Sequence, residues 1–78
     1  MQLSKMKTGN AGKVRKIEGN RAIRQRLMAM GLTPGVDIKV SKVAPMGDPI
    51  ELTVRGYKLT LRKTEASCVD VETGDEAK

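Results

Sequence analysis

Residues 50 to 61 read IELTVRGYKLTL, and this stretch decides the fold class of the chain. Apolar residues take every second position before and after one glycine: Ile50, Leu52, Val54, Tyr57, Leu59 and Leu61. A period of two is typical of a strand that buries one face and exposes the other. We therefore predict two antiparallel strands joined at Gly56, with Tyr57 on the buried face beside Leu59 and Leu61.

Three further segments extend this sheet. VDIKVSKVA (36–44) alternates apolar and polar residues and then slips phase at Val43. KVRKIE (13–18) places its two apolar residues three positions apart, which predicts a short strand with a bulge. CVDV (68–71) predicts a last short strand that closes the sheet, with Cys68 on its solvent side.

A helix is predicted between the first and second strands. In NRAIRQRLMAM (20–30), Ile23, Leu27 and Met30 fall at i, i+4 and i+7 and form one apolar stripe. Asn20 is the residue type that caps a helix N-terminus, so the helix is expected to begin directly after it.

The helix is expected to end at a glycine cap. Gly31 suits the left-handed position after the last helical residue, and Leu32 is expected to fold back on Leu27. Pro34 and Gly35 then form a tight turn, because Pro fixes φ at its first central position and Gly permits positive φ at the second. A single helical turn is expected at residues 64–67.

These elements predict a mainly β fold with one inserted α-helix. Four or five short strands with one apolar face bury that face most easily by curling into a small, SH3-like, partly closed antiparallel barrel. Residues 1–73 are assigned to a single domain of this type, and residues 74–78 to a frayed polar tail.

Composition excludes several classes of protein. The chain has 78 residues and 38% hydrophobic residues, with one Tyr and neither Trp nor Phe, so the core must be aliphatic. No stretch approaches the ~20 apolar residues of a membrane span, and no signal peptide is visible. With a single cysteine, an internal disulfide framework is excluded. The expected location is the cytoplasm.

Catalytic chemistry has little support in the sequence. The chain has no histidine, so the usual general base and nucleophile pairs are absent. No phosphate-binding glycine motif is present. We therefore expect a protein that is not an enzyme.

Metal ligation is also weakly supported. Asp48 and Glu51 could hold a hard cation, but an aspartate before Pro49 is better explained as a turn that starts a strand. Cys68 cannot close a site within one chain, so a metal would need a second chain or carboxylates such as Glu72, Asp75 and Glu76. No cofactor is predicted, and weak divalent-metal binding stays open.

The net charge of +6 is concentrated in the first half of the chain, where residues 1–31 hold eight lysines and arginines against Glu18 alone. Such a surface attracts nucleic acid, anionic lipid or an acidic protein surface. An exposed methionine among arginines is typical of a protein-docking surface. The candidate partner-binding residues are Arg21, Arg24 and Met28 on the helix and Arg55, Lys58 and Arg62 beside the hairpin.

Three segments carry a family resemblance: RQRLMAMGLTPG (24–35), VAPMGDPIEL (43–52) and RGYKLTLRKTEA (55–66). In this order and spacing they resemble the bacterial and archaeal ferrous iron transport protein A (FeoA) family, from about Leu3 to Val71. Positions matching the family pattern are assigned to shaping the loops and the end of the helix: Leu27, Gly31, Leu32, Pro34, Gly35, Pro45, Gly47, Asp48 and Pro49.

The resemblance implies a small cytosolic protein with an SH3-like barrel. Its implied partner is ferrous iron transport protein B, an inner-membrane permease with a cytosolic GTP-hydrolysing domain. The small protein would bind at the cytosolic side of this permease, peripheral to the inner membrane. The implied role is that of an accessory or regulator that docks by protein–protein contact, without inserting into the membrane. We expect no nucleic-acid ligand and no tight iron site in the monomer.

Two alternatives stay open at this point. A basic barrel could bind nucleic acid, although such barrels normally add stacking aromatics to the groove and Tyr57 is assigned to the core. The second alternative is a homodimer in which a metal links the Cys68 residues of two chains.

Overall fold

The computed structural model describes residues 1–73. Five strands are present in that range: β1 (Ala11–Ile17), β2 (Asp37–Val43), β3 (Ile50–Val54), β4 (Tyr57–Leu61) and β5 (Val69–Thr73). Helix α1 (Arg21–Ala29) lies between β1 and β2, the four-residue helix α2 (Lys63–Ala66) lies between β4 and β5, and a 3-10 turn (Leu3–Lys5) precedes β1. The prediction of a mainly β fold with an inserted helix is confirmed. The predicted frayed tail, residues 74–78, lies outside the described residues.

The strands form one antiparallel sheet in the order β4-β3-β2-β1-β5. The pairing of β1 with β5 shifts register between Val14 and Lys16, and the pairing of β2 with β3 shifts between Val40 and Lys42. Both irregularities fall where the apolar alternation of the sequence slips. A bulge bends its strand and increases the local twist, so these two positions curl the sheet around its buried face.

The core is aliphatic, as the composition requires. All five strands, α1, α2, the N-terminal turn and the segment after α1 contribute side chains that are at most 1% exposed: Leu3, Val14, Leu27, Leu32, Val40, Ile50, Leu52, Val54, Leu61, Ala66, Val69 and Val71. Ile23 and Met30 of α1 pack partly buried against this core. The helical stripe predicted from the sequence is therefore the face that α1 turns inward.

Both ends of α1 have the predicted caps. The Asn20 side chain accepts the backbone N–H of Ile23 at 2.9 Å. At the other end Gly31 has φ +100°, its N–H donates to the carbonyl of Met28 at 3.0 Å, and the N–H of Leu32 donates to the carbonyl of Leu27 at 3.1 Å. This pair of bonds defines a Schellman cap, which ends the helix and turns the chain toward β2.

Tyr57 corrects the sequence-based assignment to the core. The side chain is 43% exposed, and its hydroxyl donates to the carbonyl of Met30 at 2.6 Å. Tyr57 is the first residue of β4, next to the hairpin turn, and a phenol needs a hydrogen-bond partner that the aliphatic core does not supply. The ring therefore lies over Gly31 at the end of α1, where a carbonyl is free to accept.

Cys68 also differs from its predicted position. Strand β5 begins at Val69, so Cys68 belongs to the turn after α2 and not to the solvent side of a strand. The residue is partly buried against the core, and its Sγ lies 3.6 Å from the carbonyl oxygen of Thr64. Helix α2 begins at Lys63, one residue earlier than predicted, and ends at Ala66. The N–H of Cys68 donates to the carbonyl of Glu65 at 3.0 Å, so the chain is still turning at Cys68 and joins the sheet only at Val69.

Candidate functional site

One groove brings together part of the predicted contact surface. It has a volume of about 420 Å³ and is called the α1 groove here; its lining residues are Lys16, Ile17, Arg21, Arg24, Gln25, Met28 and Pro34. Helix α1 supplies one wall, the end of β1 supplies a second, and the turn before β2 supplies Pro34. Arg21, Arg24 and Met28 were predicted as contact residues, and the structure places all three in this groove.

The spacing of the helix explains this wall. Arg21, Arg24, Gln25 and Met28 stand at i, i+3, i+4 and i+7, so they share one face of α1. The opposite face carries Leu27 into the core, which fixes how the helix is rotated. Met28 is 44% exposed, and Arg21 and Arg24 are exposed.

The α1 groove combines an apolar floor with a cationic rim. Ile17, Met28 and Pro34 supply the apolar surface, and the charged lining residues are all cationic. Within residues 1–73, the rim residues Lys16, Arg21 and Arg24 form no ion pair. The groove can therefore offer a ligand both apolar contact and positive charge that is not used in an ion pair within residues 1–73.

Four cations elsewhere on the surface are paired with carboxylates. Lys13 lies 3.6 Å from Asp37, Arg15 lies 3.7 Å from Asp70, Arg26 lies 3.3 Å from Glu65 and Lys58 lies 4.0 Å from Glu51. Like the rim residues, other cations outside the groove form no ion pair within residues 1–73: Lys5, Lys7, Lys39, Lys42, Arg55, Arg62 and Lys63. The α1 groove differs from them in placing three such cations beside apolar side chains.

The predicted contact residues of the hairpin lie elsewhere. Arg55 occupies the turn between β3 and β4 with φ +50°, Lys58 points to Glu51, and Arg62 is the residue before α2. All three are exposed, and none lines the α1 groove. They remain a predicted second contact area.

The loop before β3 has a structural explanation for Asp48. The Gly47 N–H donates to the carbonyl of Ala44 at 2.7 Å, which closes the turn. The Asp48 carboxylate accepts the backbone N–H of Lys63, the first residue of α2, at 3.1 Å. Pro45 and Pro49 line a smaller groove of about 280 Å³ beside this loop.

The candidate metal ligands are separated or already engaged. Asp48 caps α2, Glu51 lies 4.0 Å from the Lys58 ammonium, and Cys68 packs in the turn after α2. Among residues 1–73 no three His, Cys, Asp or Glu side chains are grouped so that they could hold a metal. Asp75 and Glu76 lie outside the described range.

Sequence reasoning missed one buried carboxylate. The Glu65 side chain is 8% exposed; its Oε1 accepts the backbone N–H of Arg62 at 2.9 Å, and its Oε2 lies 3.3 Å from Nη2 of Arg26. A glutamate at the third position of a helix commonly bonds back to the residue before the helix, so the first contact was foreseeable. The ion pair with α1 had no signal in the sequence.

The family is decided by a match along the chain. The FeoA domain model matches residues 1–73. The chain belongs to the FeoA family.

A curated relative of this FeoA domain is the "Fe(2+) transport protein A/Fe(2+) transporter FeoB fusion protein" of Porphyromonas gingivalis. The two are 33% identical over 72 residues, which make up 92% of this chain and 8% of the fusion protein. The chain therefore spans only a small part of this relative's length.

Solved FeoA structures share the fold. The FeoA-like protein of Clostridium acetobutylicum is 39% identical with a TM-score of 0.87, covering 95% of this chain and 86% of that one. The FeoA of Stenotrophomonas maltophilia, solved in complex with zinc and described as an SH3 domain protein, is 28% identical with a TM-score of 0.81, covering 92% and 89%. The predicted SH3-like fold is thereby confirmed. In the part of this FeoA chain that the structure describes, neither helix is long and apolar enough to cross a membrane.

Proposed function

We propose that this FeoA protein is a non-enzymatic adaptor that docks on the ferrous iron transporter FeoB by protein–protein contact. The observation that carries the proposal is the fusion protein of Porphyromonas gingivalis, in which a FeoA region and the transporter are one polypeptide. Two functions joined in one chain are held at high effective concentration, which favours contact between them. A separate chain of the same family would meet the same surface by diffusion, peripheral to the inner membrane.

The geometry of the α1 groove supports binding of a partner protein over catalysis. The α1 groove is lined by apolar and cationic side chains and by no carboxylate, thiol or hydroxyl that could act as nucleophile or base. SH3-like barrels commonly bind extended segments in surface grooves. The proposed contact surface is the α1 groove, with Arg55, Lys58 and Arg62 as a second area.

Nucleic-acid binding is the competing function, and the exposure of Tyr57 removes one argument against it. The Tyr57 hydroxyl is nevertheless bonded to Met30, and its ring covers Gly31. The lining of the α1 groove contains no aromatic side chain on which a base could stack. Protein docking is therefore better supported.

The test is a binding measurement by biolayer interferometry at physiological salt. FeoB is immobilised in lipid nanodiscs; empty nanodiscs of the same lipid and a random RNA oligonucleotide serve as controls. We expect saturable binding to FeoB and none to either control. Binding to RNA with no binding to FeoB would overturn the adaptor proposal in favour of nucleic acid.

Charge reversal tests the proposed surface. The double variant Arg24→Glu, Arg62→Glu should bind FeoB roughly tenfold or more weakly, because charge-assisted contacts are lost and repulsion replaces them. Both side chains are exposed, so the circular dichroism spectrum and melting temperature should stay close to those of the parent. Unchanged affinity would show that the basic surface is not where FeoB docks.

A further inference from the structure

We infer that the α1 groove binds an extended acidic segment of the partner protein, in which two carboxylates at alternate positions lie next to one apolar side chain two positions away. The inference rests on the proposed function, since it describes the chemistry of the segment that such a partner would insert.

Charge complementarity selects an anionic ligand. The groove is lined by Lys16, Arg21 and Arg24 and by no acidic residue, and these three form no ion pair within residues 1–73. A guanidinium without an internal partner is free to bind a carboxylate in the two-bond geometry that arginine favours. By contrast, Arg26 on another face of the same helix is already held by Glu65.

The apolar floor favours a protein segment over a nucleic-acid backbone as the ligand. Ile17, Met28 and Pro34 line the groove together with the cations and supply apolar surface that a sugar–phosphate backbone cannot use. Met28 is 44% exposed, and methionine adapts its shape to an inserted side chain. A volume of about 420 Å³ is within the range of roughly 300–1,000 Å³ found for ligand clefts.

The helical spacing sets the order of the ligand's side chains. Along α1 the rise of about 1.5 Å per residue separates Arg21 from Arg24 by roughly 4.5 Å and Arg24 from Met28 by roughly 6 Å. Side chains on one face of an extended strand repeat every two residues, at about 6.6 Å. The long arginine side chains can take up the difference, so a segment lying along the helix in either chain direction can meet the two arginines with acids two positions apart. Its apolar residue, two positions beyond the acid at Arg24, then meets Met28.

Synthetic peptides test this ligand class directly. The probes are two fluorescein-labelled eight-residue peptides, each with two aspartates separated by one serine. One carries a leucine two positions after the second aspartate, and the other carries it two positions before the first. Matched peptides carry lysines in place of the aspartates, or serine in place of the leucine. An RNA octamer with the same fluorescein label tests phosphate as the alternative anion. Binding is measured by fluorescence anisotropy at physiological salt.

Two charge-reversal variants of equal net charge locate the site. Arg21→Glu with Arg24→Glu changes the α1 groove, and Lys7→Glu with Lys39→Glu changes exposed lysines outside it. We expect the first pair to weaken binding of the acidic peptide about tenfold or more and the second pair to change it less than about twofold. Met28→Ser should weaken the leucine peptide and leave the serine peptide unchanged.

Three results would overturn the inference. They are no binding of either acidic peptide to the parent protein, equal weakening by both variant pairs, and RNA binding that matches or displaces the peptide. Binding to FeoB nanodiscs, measured with the same proteins, separates this inference from the proposed function. Peptide binding without FeoB binding would reject the adaptor proposal alone, and FeoB binding without peptide binding would reject the ligand class alone.

Discussion

At the scale of single residues, polar side chains of this FeoA domain bond to backbone groups far along the chain. Asp48 accepts an N–H from a residue 15 positions later, and Tyr57 donates to a carbonyl 27 positions earlier. Each contact satisfies a backbone group at a helix end, where no partner within the helix exists.

Removing the Asp48 carboxylate should destabilise the protein. We expect Asp48→Ala to lower the free energy of unfolding by about 0.5–2 kcal/mol, because the first N–H of α2 loses its acceptor. The control is Asp37→Ala, whose carboxylate is 84% exposed and should matter by less than about 0.5 kcal/mol. Urea unfolding followed by circular dichroism measures both. If ferrous iron raised the unfolding midpoint of the parent and not of the Asp48 variant, the residue would instead be a metal ligand.

A second residue-scale prediction concerns Gly31 and Tyr57. Gly31→Ala should cost more than about 1 kcal/mol, because φ is +100° and the added Cβ would collide with the Tyr57 hydroxyl. Tyr57→Phe alone should cost about 0.5–1.5 kcal/mol through its lost hydrogen bond. The double variant should cost less than the sum of the two, since removing the hydroxyl relieves part of the collision. Strict additivity in this double-mutant cycle would contradict the contact.

At the scale of elements, the β3–β4 hairpin is the least well matched to its sequence. Arg55 and Gly56 both have positive φ, +50° and +86°, as a type I′ turn requires. Glycine accepts this conformation freely, whereas arginine is rarely found in it. The turn is therefore held by the pairing of its strands and not by local preference.

Arg55→Asn should stabilise the hairpin. We expect the free energy of unfolding to rise by about 0.5–1 kcal/mol, because asparagine tolerates the left-handed region that arginine disfavours. Lys7→Asn is the matched control: it removes the same charge from an exposed position outside the strands that has no positive φ, where asparagine has no such advantage. Thermal unfolding of the two variants distinguishes them, and equal shifts would mean that the loss of charge, not the turn, is responsible.

At the scale of the whole molecule, neighbouring arginines of α1 serve different purposes. Arg26 reaches Glu65 and joins α1 to α2, whereas Arg24 lines the α1 groove and has no ion-pair partner in residues 1–73. One helix thus carries a face that holds the fold together and another that is free for a partner.

Alanine variants should separate these two purposes. Arg26→Ala should lower the free energy of unfolding by about 1 kcal/mol, because the largely buried Glu65 carboxylate loses its cation, and should leave FeoB affinity unchanged. Arg24→Ala should weaken FeoB binding and change stability by less than about 0.5 kcal/mol. Chemical denaturation and biolayer interferometry on both proteins test this. If Arg26→Ala weakened FeoB binding and Arg24→Ala lowered stability, the binding face would be assigned to the wrong side of α1.

Part of the candidate site could be predicted, because it lies on one helix. The 3.6-residue period places Arg21, Arg24 and Met28 on the face opposite the apolar stripe without any knowledge of the tertiary fold. Lys16 and Pro34 were missed, since they come from β1 and from the turn before β2 and meet the helix only when the sheet curls. The spacing of the hairpin cations likewise gave no indication that they lie away from this groove.

By itself, the sequence determined the strands, the bulge of β1 and the caps of α1, because each depends on residues only a few positions apart. It also indicated the family, through the order and spacing of three segments. Only the tertiary structure decided that Tyr57 lies at the surface, that Asp48 caps α2, and which cations are paired. Those outcomes depend on contacts between distant segments, where a polar group takes whichever partner the closing sheet brings within reach.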